Sequence, residues 1–130
     1  MKRVVVDTNV LISSTLSSKG NPYKIMSHIS DREVQLYYCP GIIDEYMNVL
    51  AYQRLNIAHQ TQRKIIKEIE RLGILIEPPV STIPLPDETD RKFYDTARAS
   101  EAILVTGNTK HYPDENFIMT PAQYIEKYNT

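Results

Sequence analysis

Three carboxylates in this sequence, Asp7, Glu45 and Asp90, are of the type and placement that make a site for a hard cation. Asp7 ends an unbroken apolar run, Val4-Val5-Val6, and Glu45 lies one turn into a helix-patterned stretch. Asp90 opens the run Asp-Arg-Lys-Phe-Tyr-Asp-Thr-Ala. On a helical wheel it shares a side with Phe93, Tyr94 and Ala97, whereas Asp95 falls roughly 140° away, toward solvent. Oxygen donors suit Mg²⁺ or Mn²⁺, which acidify water and neutralise charge on a phosphoryl group. Without a cation the same carboxylates repel phosphate. Each residue also has a plainer reading. Asp7 and Asp90 fit helix N-caps, and Glu45 fits a solvated helical face.

The elements that must position these groups follow from the hydrophobic pattern. Val4 to Val6 reads as a central strand covered on both faces. Val10-Leu11-Ile12 reads as a helix that frays into a loop from Ser13 to Gly20, followed by a helix from Asn21-Pro22 to about Ser30. Val34 to Cys39 is a second strand. Pro40-Gly41 opens a helix through roughly Arg54, with Ile42, Tyr46, Val49 and Leu50 on one face. Another helix runs from about Ala58 to Leu72 and stops at Gly73, before a short buried strand at Ile74-Leu75-Ile76. Glu77 to Thr89 holds Pro78, Pro79, Pro84 and Pro86 and reads as a loop. A helix from Asp90 to Glu101, a strand at 103–105, the turn Thr106-Gly107-Asn108, a strand near 117–119 and a helix from Pro121 to Tyr128 complete the order. Alternating strands and helices predict a parallel sheet with right-handed crossovers. In such sheets ligands bind beyond the carboxyl ends of strands, where Asp7 and Thr106-Gly107-Asn108 should lie together.

The chain of 130 residues is 42% hydrophobic and 24% charged, values that predict one folded domain spanning residues 1–130 rather than a disordered chain. No stretch reaches the roughly 18 apolar residues of a membrane span, and the N-terminus lacks a secretory pattern. Cys39 is the only cysteine, so an internal disulfide is excluded and a cytoplasmic location is expected. A net charge of −1 counts mildly against a protein that grips nucleic acid by phosphate neutralisation alone.

Four blocks in order carry a resemblance: Val-Val-Asp-Thr-Asn-Val-Leu-Ile at 5–12, Glu45 in the helix after the second strand, Asp90 opening its helix, and Leu-Val-Thr-Gly-Asn at 104–108. Together they resemble the PIN-domain ribonucleases, within them the toxin components of prokaryotic toxin–antitoxin pairs related to VapC. The resemblance covers nearly the whole chain. It implies a Rossmann-like, three-layer α/β/α fold, Mg²⁺ or Mn²⁺, cleavage of single-stranded RNA, a homodimer and a cognate antitoxin. It carries the catalytic and metal-holding positions to Asp7, Glu45 and Asp90. The fourth acidic position of the family is Asn108 here, one charge fewer, so one metal is expected rather than two. Asp114 is a substitute less favoured than a surface residue, and Asp87 is either a supporting group or surface. Asn9 and Thr106 match polar positions that orient carboxylates or water.

Arg91, Lys92 and Lys110 are the local cations suited to drawing in RNA, and His111 is a candidate substrate contact. The nine tyrosines suit base stacking, though core filling explains most of them equally well. Ser13, Ser14, Ser17 and Ser18 read as a solvated loop, and His28 and His59 as surface. Three other classes compete with this one. A receiver-type phosphoacceptor domain wants paired acids after the first strand and a lysine after the last. A haloacid-dehalogenase-type phosphatase wants a second aspartate where Asn9 stands. A catalytically weakened module that binds RNA or protein is the alternative that Asn108 favours.

Overall fold

Val4, Val5 and Val6 point alternately to the two faces of β1 (Lys2–Val6), and all three are buried. Both faces of the strand are therefore covered, as an unbroken β-branched run requires. The computed structural model describes residues 1–128. Its other strands are β2 (Val34–Tyr38), β3 (Ile74–Leu75), β4 (Ile103–Val105) and β5 (Ile118–Met119). They form one parallel five-stranded sheet of order β3-β2-β1-β4-β5. Val4 pairs with Leu36 on one side, and Val6 with Val105 on the other.

Six helices flank the sheet in a three-layer α/β/α arrangement: α1 (Thr8–Leu16), α2 (Asn21–Ser30), α3 (Pro40–Leu50), α4 (His59–Leu72), α5 (Arg91–Ser100) and α6 (Pro121–Tyr128). Helix α5 packs on β1, β2 and β4 with α3 beside it, while α2 packs on β2 and meets α1, α4 and α6. Among the described residues, no helix is long and apolar enough to cross a membrane.

Several expectations need correction. Helix α1 does not fray at Ser13 but continues to Leu16, where Ser14 and Thr15 hydroxyls donate back to the Leu11 carbonyl. Helix α3 stops at Leu50, and a separate 3₁₀ turn at Gln53–Leu55 follows it. The strand Ile74-Leu75 is an exposed edge, not a buried strand, because nothing covers its outer side among the described residues. Gly73 does end α4, and the position has room only for glycine: a Cβ there would lie 2.8 Å from the Tyr38 ring.

Asp95, expected toward solvent, is buried. The wheel position was right, but the proline-rich segment before α5 folds over that side. The Ser81 backbone N–H donates to Asp95 Oδ2 at 3.0 Å. Arg91 Nη1 holds the same segment through Ser81 O at 3.0 Å. Periodicity reports which residues share a side; it does not report that a loop will cover the outer one.

Candidate functional site

The chain leaves β1 for β2 and β3, then returns to add β4 on the other side of β1. Such a reversal opens a crevice beyond the carboxyl ends of the two neighbouring strands. Asp7 enters it directly after Val6, its backbone N–H donating to Val105 O at 2.9 Å. Its side chain does not cap α1. Instead Asp7 Oδ2 accepts from Thr106 Oγ1 at 2.8 Å and from the Tyr112 hydroxyl at 2.9 Å. The residue is only 7% exposed, so these bonds replace water almost completely. Burial raises the Asp7 pKa; the Thr106 and Tyr112 hydroxyls, which favour the charged form, oppose the rise, and Glu45 adds to it. Two residues on, Asn9 Oδ1 accepts the Gly107 N–H at 3.0 Å and ties the loop after β1 to the loop after β4. A Cβ on Gly107 would sit 3.2 Å from that oxygen, so glycine permits the close approach.

Helix α3 brings Glu45. Its neighbour Tyr46 is buried, and the Tyr46 hydroxyl donates to Val6 O, which pins the helix to the end of β1. Glu45 accepts from the Thr8 hydroxyl and lies 2.8 Å from Lys92 Nζ. Lys92 also donates to the Thr89 carbonyl.

Asp90 stands where a 3₁₀ turn, Glu88–Asp90, passes into α5, and its side chain makes no cap. Capping at this end falls to Asp87, whose Oδ1 accepts from Thr89 N at 2.9 Å and Thr89 Oγ1 at 2.8 Å. Asp90 Oδ2 is shielded from solvent and makes no hydrogen bond; His111 Nδ1 stands 3.3 Å away without the geometry of one. The Asp90 pKa is pushed up to about 6, first by burial and then by the charges of Asp7 and Asp87, with His111 opposing.

Asp7, Glu45 and Asp90 thus line one open cleft of about 480 Å³, together with Asn9, Tyr52, Arg54, Asp87 and His111. The donors are hard oxygens, they repel one another, and one buried oxygen has no partner. Those features fit a small divalent cation. As placed, however, no three His, Cys, Asp or Glu side chains among the described residues are drawn close enough to hold an ion. Glu45 has its two oxygens turned to Thr8 and Lys92, and the Lys92 ammonium supplies the positive charge there.

The remaining expected residues divide. Asn108 Nδ2 lies 2.9 Å from His111 Nε2, and its backbone N–H donates to Thr106 Oγ1 at 3.1 Å. Asn108 therefore supports the histidine and the turn. Arg91 is held by Glu88 and Ser81 rather than lining the cleft. Lys110 and Asp114 are exposed and also lie outside the cleft lining. Three contributors went unread in the sequence: Thr8, Tyr46 and Tyr112. Thr8 was visible inside Asp-Thr-Asn. Tyr46 is legible as a position on the apolar face of its helix but not as a donor to Val6, and nothing in the sequence distinguishes Tyr112 from the other tyrosines.

Comparison with known proteins adds an independent finding. Residues 3–110 match a family model described as a PIN domain. An uncharacterised protein of Methanocaldococcus jannaschii is 28% identical over 141 aligned positions, covering 97% of this chain and 91% of the relative. No solved structure matches the chain.

Proposed function

Because the chain belongs to the PIN-domain family, whose members are generally nucleases, we propose that it is an endoribonuclease that hydrolyses phosphodiester bonds of single-stranded RNA with Mg²⁺ or Mn²⁺. The observation that carries this reading is the meeting of Asp7, Glu45 and Asp90 in one cleft, with Asp90 Oδ2 buried and unpartnered. Asp7 and Asp90 would hold the ion, joined by Glu45 once its carboxylate leaves Lys92. When bound, the ion supplies Lewis-acid activation of water and stabilisation of phosphoryl charge. The protein residues do the rest. Thr106 and Tyr112 fix the Asp7 carboxylate from behind. Asn108 contacts the His111 ring, which stands beside Asp90 at the cleft rim.

Purified chain should cut a labelled single-stranded RNA when Mn²⁺ is added and stop when chelator is added. Asp7→Asn should abolish the cutting, and activity that persists unchanged in that variant would refute the assignment. A cytoplasmic toxin role, a homodimer and neutralisation by an antitoxin form the finer part of the proposal. Growth arrest on expression, relieved by a short protein encoded beside the gene, tests it.

A second reading has its own support. Glu45 is already neutralised by Lys92, and Asn108 stands where the family has a carboxylate, as a non-catalytic RNA-binding or protein-interaction module would have it. RNA binding without cutting in either metal would select that reading.

A further inference from the structure

The break between α3 and the following 3₁₀ turn re-aims two side chains. In an uninterrupted helix Tyr52 and Arg54, two residues apart, would not face each other. Here Tyr52 has an extended backbone, and the turn after it is closed by Leu55 N–H to Tyr52 O at 3.1 Å and Asn56 N–H to Gln53 O at 3.0 Å. Asn56 ends the turn in the left-handed region at φ 51°. The result places the Arg54 guanidinium 5.0 Å from the centre of the Tyr52 ring. Both residues line the acidic cleft.

Tyr52 is singled out twice. Seven of the nine tyrosines are buried or half-buried, which leaves Tyr23 and Tyr52, each 44% exposed. Tyr23 lines a separate apolar groove beside α4, so Tyr52 alone presents an open aromatic face at the carboxylate cleft. Among the described residues Arg54 makes no ion pair, unlike Arg91 and Lys92, whose charges are taken by Glu88 and Glu45. An exposed aromatic ring costs free energy in water unless something covers it, and a free guanidinium beside carboxylates has no structural duty. A cleft of about 480 Å³ lies within the range of sites for drug-sized molecules, roughly 300–1,000 Å³, the scale of one nucleotide.

We infer that Tyr52 and Arg54 form a nucleotide subsite, in which an unpaired base of the substrate strand stacks on the Tyr52–Arg54 pair and the guanidinium meets the adjoining phosphate. This deepens the nuclease reading and rests on it. Stacking requires an accessible base face, so the subsite selects single strands over duplexes. It tolerates any base, because every base has a π-face and neither residue reads a hydrogen-bonding edge. Arg54 also offsets part of the negative charge that Asp7, Asp87 and Asp90 present to a phosphate.

The test uses the wild-type full chain, whose cation site is intact, with Ca²⁺ in place of Mg²⁺ and a gel check that the labelled strand stays uncut. Fluorescence anisotropy of a labelled single-stranded RNA gives affinity, and a 2-aminopurine base in the same strand reports stacking through quenching. Tyr52→Ala should weaken binding about tenfold and remove the quenching, while Tyr52→Phe keeps both. Arg54→Gln should weaken binding and flatten its salt dependence, while Tyr52→Ala leaves the salt dependence unchanged. Neither side chain is part of the core, so melting temperatures should stay at the parent value. Binding and quenching unchanged in Tyr52→Ala would overturn the subsite and leave the nuclease reading standing. Failure of the parent to bind any single strand would overturn both.

Discussion

The two walls of the cleft are built on different principles. The sheet wall, where β1 and β4 end, presents Asp7 and Asn9 to the cleft, backed by Thr106, Tyr112 and Gly107. Its polar contacts join neutral donors to one buried carboxylate or close loop against loop. The helical wall, from α3, the 3₁₀ turns and α5, rests on one ion pair, Glu45 with Lys92, and on Asp90, whose buried Oδ2 has no hydrogen-bond partner. The sheet wall is preorganised and cannot rearrange without opening the core. In the helical wall Lys92 neutralises Glu45, a place that an incoming cation can take, and Asp90 keeps a free oxygen. The comparison teaches that the site is half fixed and half exchangeable, with Asp7 on the fixed side and Glu45 and Asp90 on the other.

The largest effect should follow removal of charge on the exchangeable side. Asp90→Asn keeps the shape of the side chain but loses its charge, and cleavage should fall on the order of 100-fold or more. Its metal-free melting temperature should hold or rise, because the cost of burying the charge, and with it the repulsion by Asp7 and Asp87, is relieved. A fall in both would show Asp90 to be structural.

On the fixed side the expected cost is in stability. Tyr112→Phe removes one of two hydroxyl donors to buried Asp7, at about 1–3 kcal/mol. Asp7 then becomes harder to ionise, so the acid limb of the pH–rate profile should move to higher pH. Denaturant melts and that profile check the two parts separately, and an unmoved limb would uncouple Asp7 from catalysis.

The pH dependence of stability distinguishes the walls further. Asp90 carries its proton in the fold up to about 6, against an ordinary value of 3.8. A raised acid contributes stability that is complete below the ordinary value and is lost as pH rises through the folded one. The metal-free wild type should therefore lose stability relative to Asp90→Asn as pH rises from about 4 to about 6. Mg²⁺, which favours the carboxylate, should cancel that loss. Parallel thermal melts of the two proteins across this range measure the difference, and parallel curves would remove the basis for it.

The smallest effect belongs to the Lys92–Glu45 pair, which is partly exposed on both sides. Lys92→Gln should alter stability by less than about 1 kcal/mol. By releasing Glu45 it should tighten Mn²⁺ binding several-fold, measured by calorimetry. Unchanged affinity would make the lysine a bystander.

How much of this was legible in the sequence follows the same division. The valine run gave β1 its central place, and the strand-then-polar rule put Asp7 and Thr106 on one edge. The helical wheel set Asp90 inward. The wheel could not show that a proline-rich loop would bury Asp95, because that depends on contacts between distant segments. Nor could it show that α3 stops at Leu50, since Tyr52 and Arg54 continue an acceptable helical pattern until tertiary packing ends it. Tyr112 was illegible for a similar reason: its hydroxyl finds Asp7 across the sheet edge, 105 positions earlier in the chain. Asn108 was read correctly as lacking a charge, but its partner, His111, emerges only from the 3₁₀ turn at Thr109–His111.

The central claim is that the cleft is a divalent-cation site made by these carboxylates. Titration of the intact protein with Mn²⁺, followed by electron paramagnetic resonance, tests it most directly. The account predicts one ion bound by the wild type, with affinity falling at least tenfold in both Asp7→Asn and Asp90→Asn. Binding of equal strength in all three proteins, or none in the wild type, would contradict it.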